Sequence, residues 1–159
     1  MNVDLEELSK FLVKAKTNTY ASGSERNVPP QRPDFDELEF KEGDLEYRDS
    51  YCGFFRAPGQ EIVRFKGEPI WNMSYDGGML SEFWDSRDFA EQTFKFLQRA
   101  MSKIDVSKPF RGPENLQEGD YEYNMEVEGD ITSFKGTEKI SFKGKVVFVQ
   151  NFMGGLILE

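Results

Sequence analysis

The segment from Gly43 to Leu80 reappears in altered form from Gly119 to Ile157. Gly43-Asp44-Leu45-Glu46-Tyr47 lies over Gly119-Asp120-Tyr121-Glu122-Tyr123, and Gly53 lies over Gly129. One inserted residue later, Glu61 meets Glu138, Val63 meets Ile140, and Phe65-Lys66-Gly67 meets Phe142-Lys143-Gly144. Trp71 then meets Phe148, Tyr75 meets Phe152, and Gly77-Gly78 meets Gly154-Gly155. Upstream, Lys10-Phe11-Leu12 corresponds to Lys95-Phe96-Leu97 and Ala15 to Ala100. Glycines recur at these places because backbone geometry asks for them there. The reading is one domain over residues 1–159 with an internal repeat, 1–80 and 86–159.

Each unit has the same order. Leu5, Leu8, Leu12 and Ala15 form one apolar stripe, which predicts a helix ending near Thr17. Asp4, Glu6 and Glu7 at its start and Lys14 and Lys16 at its end suit the helix dipole. Residues 18–34 are rich in Ser, Asn, Gly and Pro and read as a long loop. Alternation over 45–52, then 61–65 and 70–75 with turns between, predicts an antiparallel meander. A second helix is expected over about 88–104, with Asp88 and Glu91 at capping-box spacing, followed by a second meander. The fold class is α+β: two pseudo-symmetric halves, each a helix and three antiparallel strands, sharing one core. A continuous sheet, two facing sheets and a partly closed barrel all satisfy this pattern. A pocket is expected between the halves.

Composition removes several functions. The formal charge of −9 repels phosphate backbones, which argues against nucleic-acid and anionic-membrane partners. No apolar run has the length of a membrane span, and the first residues have no signal-peptide core. Cys52 is the lone cysteine, which favours a reducing, cytoplasmic setting. It alternates away from the Tyr47/Tyr51 face and reads as structural. With no histidine, His-based nucleophile activation, His-ligated zinc and His acid–base catalysis are all removed. No phosphate loop, dinucleotide fingerprint or metal motif is present, so no cofactor and no metal are expected. Gly77-Gly78 and Gly154-Gly155 read as turns or bulges.

The repeat also compares the chain with itself. Asp49 shares a strand face with Leu45, Tyr47 and Tyr51, whereas its counterpart is Met125. A dry carboxylate on an aromatic face needs hydrogen bonds or costs about 1–3 kcal/mol, and its pKa should rise. It reads as a ligand contact or a general acid–base, or else as an Asp held by a nearby Tyr or Arg or placed at a sheet edge. Glu61 and Glu138 occupy equivalent positions and could meet as a carboxylate pair. Otherwise each sits at the wet start of a strand. Arg32 and Arg111 form a third pair that could clamp an anion, or form surface ion pairs. Tyr20, Tyr47, Tyr51, Trp71, Met73 and Tyr75 could line an apolar pocket or fill the core.

Phe11-Leu12-Val13-Lys14-Ala15-Lys16, Thr19-Tyr20-Ala21, Arg32-Pro33, Tyr47-Arg48-Asp49-Ser50-Tyr51, Trp71-Asn72-Met73-Ser74-Tyr75 and Arg111-Gly112-Pro113 together resemble a prokaryotic domain-of-unknown-function family, number 5680. The resemblance runs nearly end to end. It implies an intact domain, used alone or attached to helix-turn-helix regulators, and brings no activity with it. The chain departs from the family pattern at Ser74, where Asn is expected, and at Met153, where His is expected. If that His carries chemistry in the family, this member lacks it.

The leading expectation is a small-molecule-binding module with the ligand held by Tyr47, Asp49, Tyr51, Trp71, Tyr75, Arg32 and Arg111. The alternatives are a carboxylate-dependent enzyme using Asp49, Glu61 and Glu138, and a homodimeric or partner-binding protein without a small ligand.

Overall fold

The computed structural model describes residues 4–23 and 28–158. Part of the predicted 18–34 loop therefore lies outside the described residues. Helix α1 (Leu5–Asn18) starts at Asp4, whose side chain accepts the Glu6 amide at 2.9 Å. A short 3-10 turn follows at Tyr20–Ser22. Four strands come next: β1 (Asp36–Glu42), β2 (Leu45–Tyr51), β3 (Gly59–Phe65) and β4 (Glu68–Met79). Helix α2 (Arg87–Met101) leads to β5 (Asn115–Glu118), β6 (Tyr121–Asp130), β7 (Ser133–Phe142) and β8 (Lys145–Leu156).

All eight strands form one antiparallel sheet in the order β1-β2-β3-β4-β8-β7-β6-β5. The fold is α+β, and of the three layouts open to the sequence it adopts the continuous sheet. Each half carries four strands rather than the expected three. The additions, β1 and β5, are the two edges. Four of the seven residues of β1 are acids, and β5 has only four residues with one apolar side chain, Leu116, so neither stands out by apolar alternation; the charges on β1 also resist pairing with other chains.

The two halves meet at β4 and β8. Tyr75 lies directly opposite Phe152, the residue that the sequence comparison pairs with it. Met73 opposite Gly154 and Gly77 opposite Gln150 exchange places when the halves are exchanged, and so does the rest of that register. Other matched positions share backbone geometry. The hairpin turns have φ 52° and 86° at Lys66-Gly67 and φ 50° and 78° at Lys143-Gly144, the positive pair that tight hairpins need. Register shifts fall between Val63 and Arg64 and between Ile140 and Ser141.

The glycine pairs are not turns. Gly77-Gly78 and Gly154-Gly155 lie inside the long strands β4 and β8. A Cβ on Gly78 would come 2.1 Å from the Phe55 carbonyl oxygen, and one on Gly155 would come 2.2 Å from that of Thr132. The missing side chains let the segments joining β2 to β3 and β6 to β7 cross close over the sheet. The capping box at Asp88 and Glu91 does not form either. The N-cap of α2 is Ser86, which makes no side-chain cap bond.

The core is continuous. Leu8, Phe11, Leu12 and Ala15 of α1 and Phe96, Leu97 and Ala100 of α2 pack with Tyr47, Val63, Trp71, Tyr123, Ile140 and Phe148 of the sheet. Trp71 stacks on Phe134 with ring centres 5.7 Å apart, and its indole N–H donates to the Ile131 carbonyl at 3.0 Å. Among the described residues, no helix is long and apolar enough to cross a membrane.

Candidate functional site

Strand register places a row of polar groups on the buried, helix-facing side of the sheet. Asp49 on β2 is opposite Glu61 on β3, and Glu61 is opposite Met73 on β4. In the other half, Met125 on β6 is opposite Glu138 on β7, and Glu138 is opposite Gln150 on β8. Asp49, Glu61, Glu138 and Gln150 are all buried. The glutamates are not at wet strand starts. Their hairpin arms begin earlier than the sequence pattern indicates, so both fall beneath the helices.

Two cations reach this row from the helix layer. Lys16, in the last turn of α1, pairs with Glu61 Oε2, and its Nζ donates to the Phe110 carbonyl at 2.7 Å. Arg111, beyond α2, donates from Nε to Glu138 Oε1 at 2.9 Å, with Nη2 2.8 Å from the same oxygen, while its Nη1 lies 3.8 Å from Glu61 Oε1. One guanidinium therefore links the two equivalent glutamates. Glu138 also accepts from Gln150 Nε2 at 2.8 Å and from the Tyr123 hydroxyl at 2.7 Å. The Tyr123 oxygen in turn accepts the Gly112 amide at 2.9 Å. Asp49 Oδ1 accepts the Tyr75 hydroxyl at 2.7 Å.

The ions do not balance. Lys16 and Arg111 face Asp49, Glu61 and Glu138, so full ionisation leaves one buried negative charge unmatched. Burial is expensive for an uncompensated charge, and the group with no direct cation partner should keep a proton. Among the described residues, Asp49 is that group. Burial, followed by repulsion from Glu61, raises its pKa to about 7, against the Tyr75 hydrogen bond and the attraction of Arg111 and Lys16. Burial also pushes Lys16 below its ordinary value, with Glu61 opposing. Burial alone would lower Arg111, but Glu138 and Glu61 hold it above its ordinary value. The buried phenols of Tyr47, Tyr75 and Tyr123 are pushed well up, chiefly by burial.

Beside this cluster lies a cavity of about 320 Å³. Asp49, Tyr75, Arg111 and Gln150 bring polar groups of the buried cluster to its wall. Tyr51, Phe54 and Phe55 line it from the first half, and Phe94, Leu97 and Phe148 from the second. Gly77 and Gly78 line it too, at the point where the Phe55 backbone crosses β4. Tyr20, Asp36, Gly53 and Ala57 complete the lining.

The structure thus separates the residues singled out from sequence. Asp49, Tyr51, Tyr75 and Arg111 line the cavity. Tyr47 and Trp71 are wholly buried in the core, and Glu61 and Glu138 act on the cavity through Arg111 and Asp49 rather than by lining it. Arg32 is exposed, with Nη2 3.3 Å from Gln60 Oε1 and its guanidinium 5.3 Å from the Phe35 ring centre, so it does not form a clamp with Arg111. Cys52 is a half-buried free thiol.

Sequence reasoning missed Lys16 and Gln150, although the comparison that exposed Asp49 also exposes them. Lys16 continues the Leu8/Leu12 stripe, where the second helix has Met101, and Gln150 stands where the first half has Met73. Four matched positions therefore carry methionine in one half and a polar group in the other; the three whose polar group is buried, Lys16, Asp49 and Gln150, belong to this network, whereas Asp76, matched to Met153 in the comparison, is exposed and pairs with Arg56.

Ser74 and Met153, where the chain departs from the family pattern, are cross-strand partners on the exposed face of the sheet, away from the cavity. No curated protein and no solved structure matches the chain. A family model described as a domain of unknown function, DUF5680, matches residues 49–157, which takes in Asp49, Glu61, Tyr75, Arg111, Glu138 and Gln150. The chain belongs to this DUF5680 family.

Proposed function

We propose that the domain is a small-molecule-binding module whose ligand occupies the cavity between the two halves. The observation that carries this reading is the placement of Asp49. It is a buried carboxyl with no direct cation partner among the described residues, and it faces a cavity walled by Tyr51, Phe54, Phe55 and Phe94. A small, largely apolar cavity with a few converging polar groups is the common form of a ligand site, and about 320 Å³ is at the lower end of the usual range. We treat the halves as copies of one ancestral unit. On that view, Lys16, Asp49 and Gln150 replaced or preceded methionines at core positions, and function gives a reason for retaining them despite the cost of burial. A reducing, cytoplasmic setting fits the lone free thiol.

The test is a thermal-shift screen of the wild-type domain against a metabolite panel. A ligand of the folded state raises the melting temperature by mass action. The expected hit loses its shift in Asp49→Ala and Tyr51→Ala. A shift that survives both substitutions places the ligand elsewhere.

A second reading, carboxylate-based acid–base catalysis, draws on the same residue. An acid with a pKa of about 7 is suited to donate and accept protons near neutrality. The fate of the bound compound separates the two: catalysis predicts a chemically changed product from the wild-type domain and none from Asp49→Asn, whereas binding predicts that the compound is recovered unchanged.

A further inference from the structure

We infer that the cavity takes an organic monocation, an amine or quaternary ammonium on a compact apolar or aromatic body. This inference rests on the binding reading above and names the class of ligand.

Charge placement carries it. Arg111 is engaged by Glu138 and Glu61, and Lys16 by Glu61, so neither cation is left over for Asp49. The hydrogen bond that Asp49 receives among the described residues comes from the neutral Tyr75 hydroxyl at 2.7 Å. Its other ionisable neighbours are Glu61 on β3, Lys16 on α1, Tyr20 in the 3-10 turn after α1, Arg111 beyond α2, and Tyr47 on its own strand. The charged residues lining the cavity are Asp36, Asp49 and Arg111, two acids and one already paired base. An anion entering here would add negative charge beside two carboxyls and compete with Glu138 for Arg111. A neutral ligand would leave Asp49 holding its proton and bring no positive charge to its carboxyl. A cation supplies that charge, and Phe54, Phe55 and Phe94 give its body an aromatic lining, the Phe54 ring already holding the Arg87 guanidinium at 3.8 Å. The net charge of −9 favours approach of a cation.

The exchange is balanced. The Asp49 O–H bond breaks, its proton leaves to solvent, and the carboxylate remains opposite the ligand cation. Binding should therefore strengthen as pH rises towards the Asp49 titration, by up to about tenfold per pH unit.

Calorimetric titration of the intact domain tests this with three probes of similar body: benzyltrimethylammonium, benzyl alcohol and benzoate. Runs near pH 5.5 and pH 8, in buffers of different ionisation enthalpy, report the released proton. The expected result is binding of benzyltrimethylammonium at least about tenfold tighter at the higher pH, with proton release, and loss of both the preference and the pH dependence in Asp49→Asn. That variant resembles the protonated acid and can keep the Tyr75 bond, and circular dichroism checks its fold. Failure of the cation to bind near pH 8, tighter binding of benzoate or benzyl alcohol, or cation binding unchanged in Asp49→Asn would each overturn the inference. Benzyl alcohol binding that is lost in Tyr51→Ala, without cation binding, would sink the charge assignment alone and leave the pocket reading intact.

Discussion

Asp49 and Glu61 face each other across β2 and β3, both buried, and among the described residues Glu61 has a direct cation partner while Asp49 has none. This asymmetry makes Asp49 the proton holder of the cluster, and its consequences can be measured.

The first is a pH-dependent stability. The Asp49 carboxyl is raised to about 7 in the fold, against about 3.9 for an unfolded chain. The folded state binds the proton more tightly, so this group's contribution is full below about pH 4 and is lost as pH rises through about 7. Asp49→Asn carries no such titration. Its melting temperature relative to wild type should climb between about pH 5 and pH 8. Melting curves whose difference stays constant over that range would show that Asp49 titrates normally.

A second prediction concerns Lys16. Lys16→Met installs the residue that α2 carries at the matching position and leaves Glu61 with only the longer Arg111 contact. Breaking a buried pair from one side costs about 3–5 kcal/mol. Adding Glu61→Gln should recover part of that loss, since no lone charge remains. Urea denaturation of the two single variants and the double variant gives the coupling. Additive losses would mean that the pair contributes no interaction of its own.

Gly78→Ala tests the crossing over β4. Gly78 has φ of 145°, and a Cβ would meet the Phe55 carbonyl oxygen at 2.1 Å. Strain of this kind costs about 1–3 kcal/mol, and displacing Phe55 should also weaken any ligand shift. Gly67→Ala is the control: its φ is positive at 86°, but nothing lies within 4 Å of the added carbon. It should lose less stability in urea and retain ligand binding.

Tyr75→Phe removes the hydroxyl that bonds Asp49 at 2.7 Å. That bond favours the carboxylate, so its loss should move the Asp49 titration upward. A downward move in a pH-resolved melting series would assign the Tyr75 hydroxyl the opposite role.

The repeated glycines, the paired hairpin turns and the Asp49/Met125 contrast all showed in the sequence, because turn geometry and side-chain polarity are local properties. The edge strands β1 and β5 did not, since β1 is dominated by acids and β5 has a single apolar residue, Leu116. The burial of Glu61 and Glu138 was equally hidden. It depends on where β3 and β7 begin and on Lys16 and Arg111 arriving from distant parts of the chain. Lys16 looked like an ordinary last-turn lysine, although its place on the Leu8/Leu12 stripe marked it as different. Arg32 and Arg111 looked equivalent in sequence, but one ended exposed and the other in the buried network, a difference set by tertiary packing.

The most direct test of the account is a carboxyl-carbon NMR titration of Asp49 in the wild-type domain, with Asp49→Asn used to assign the resonance. A midpoint near 7 is predicted, as expected for a carboxyl that shares its buried cluster with two cations and two other carboxylates. A midpoint near the ordinary value of about 4 would contradict the charge imbalance on which the proposed site depends.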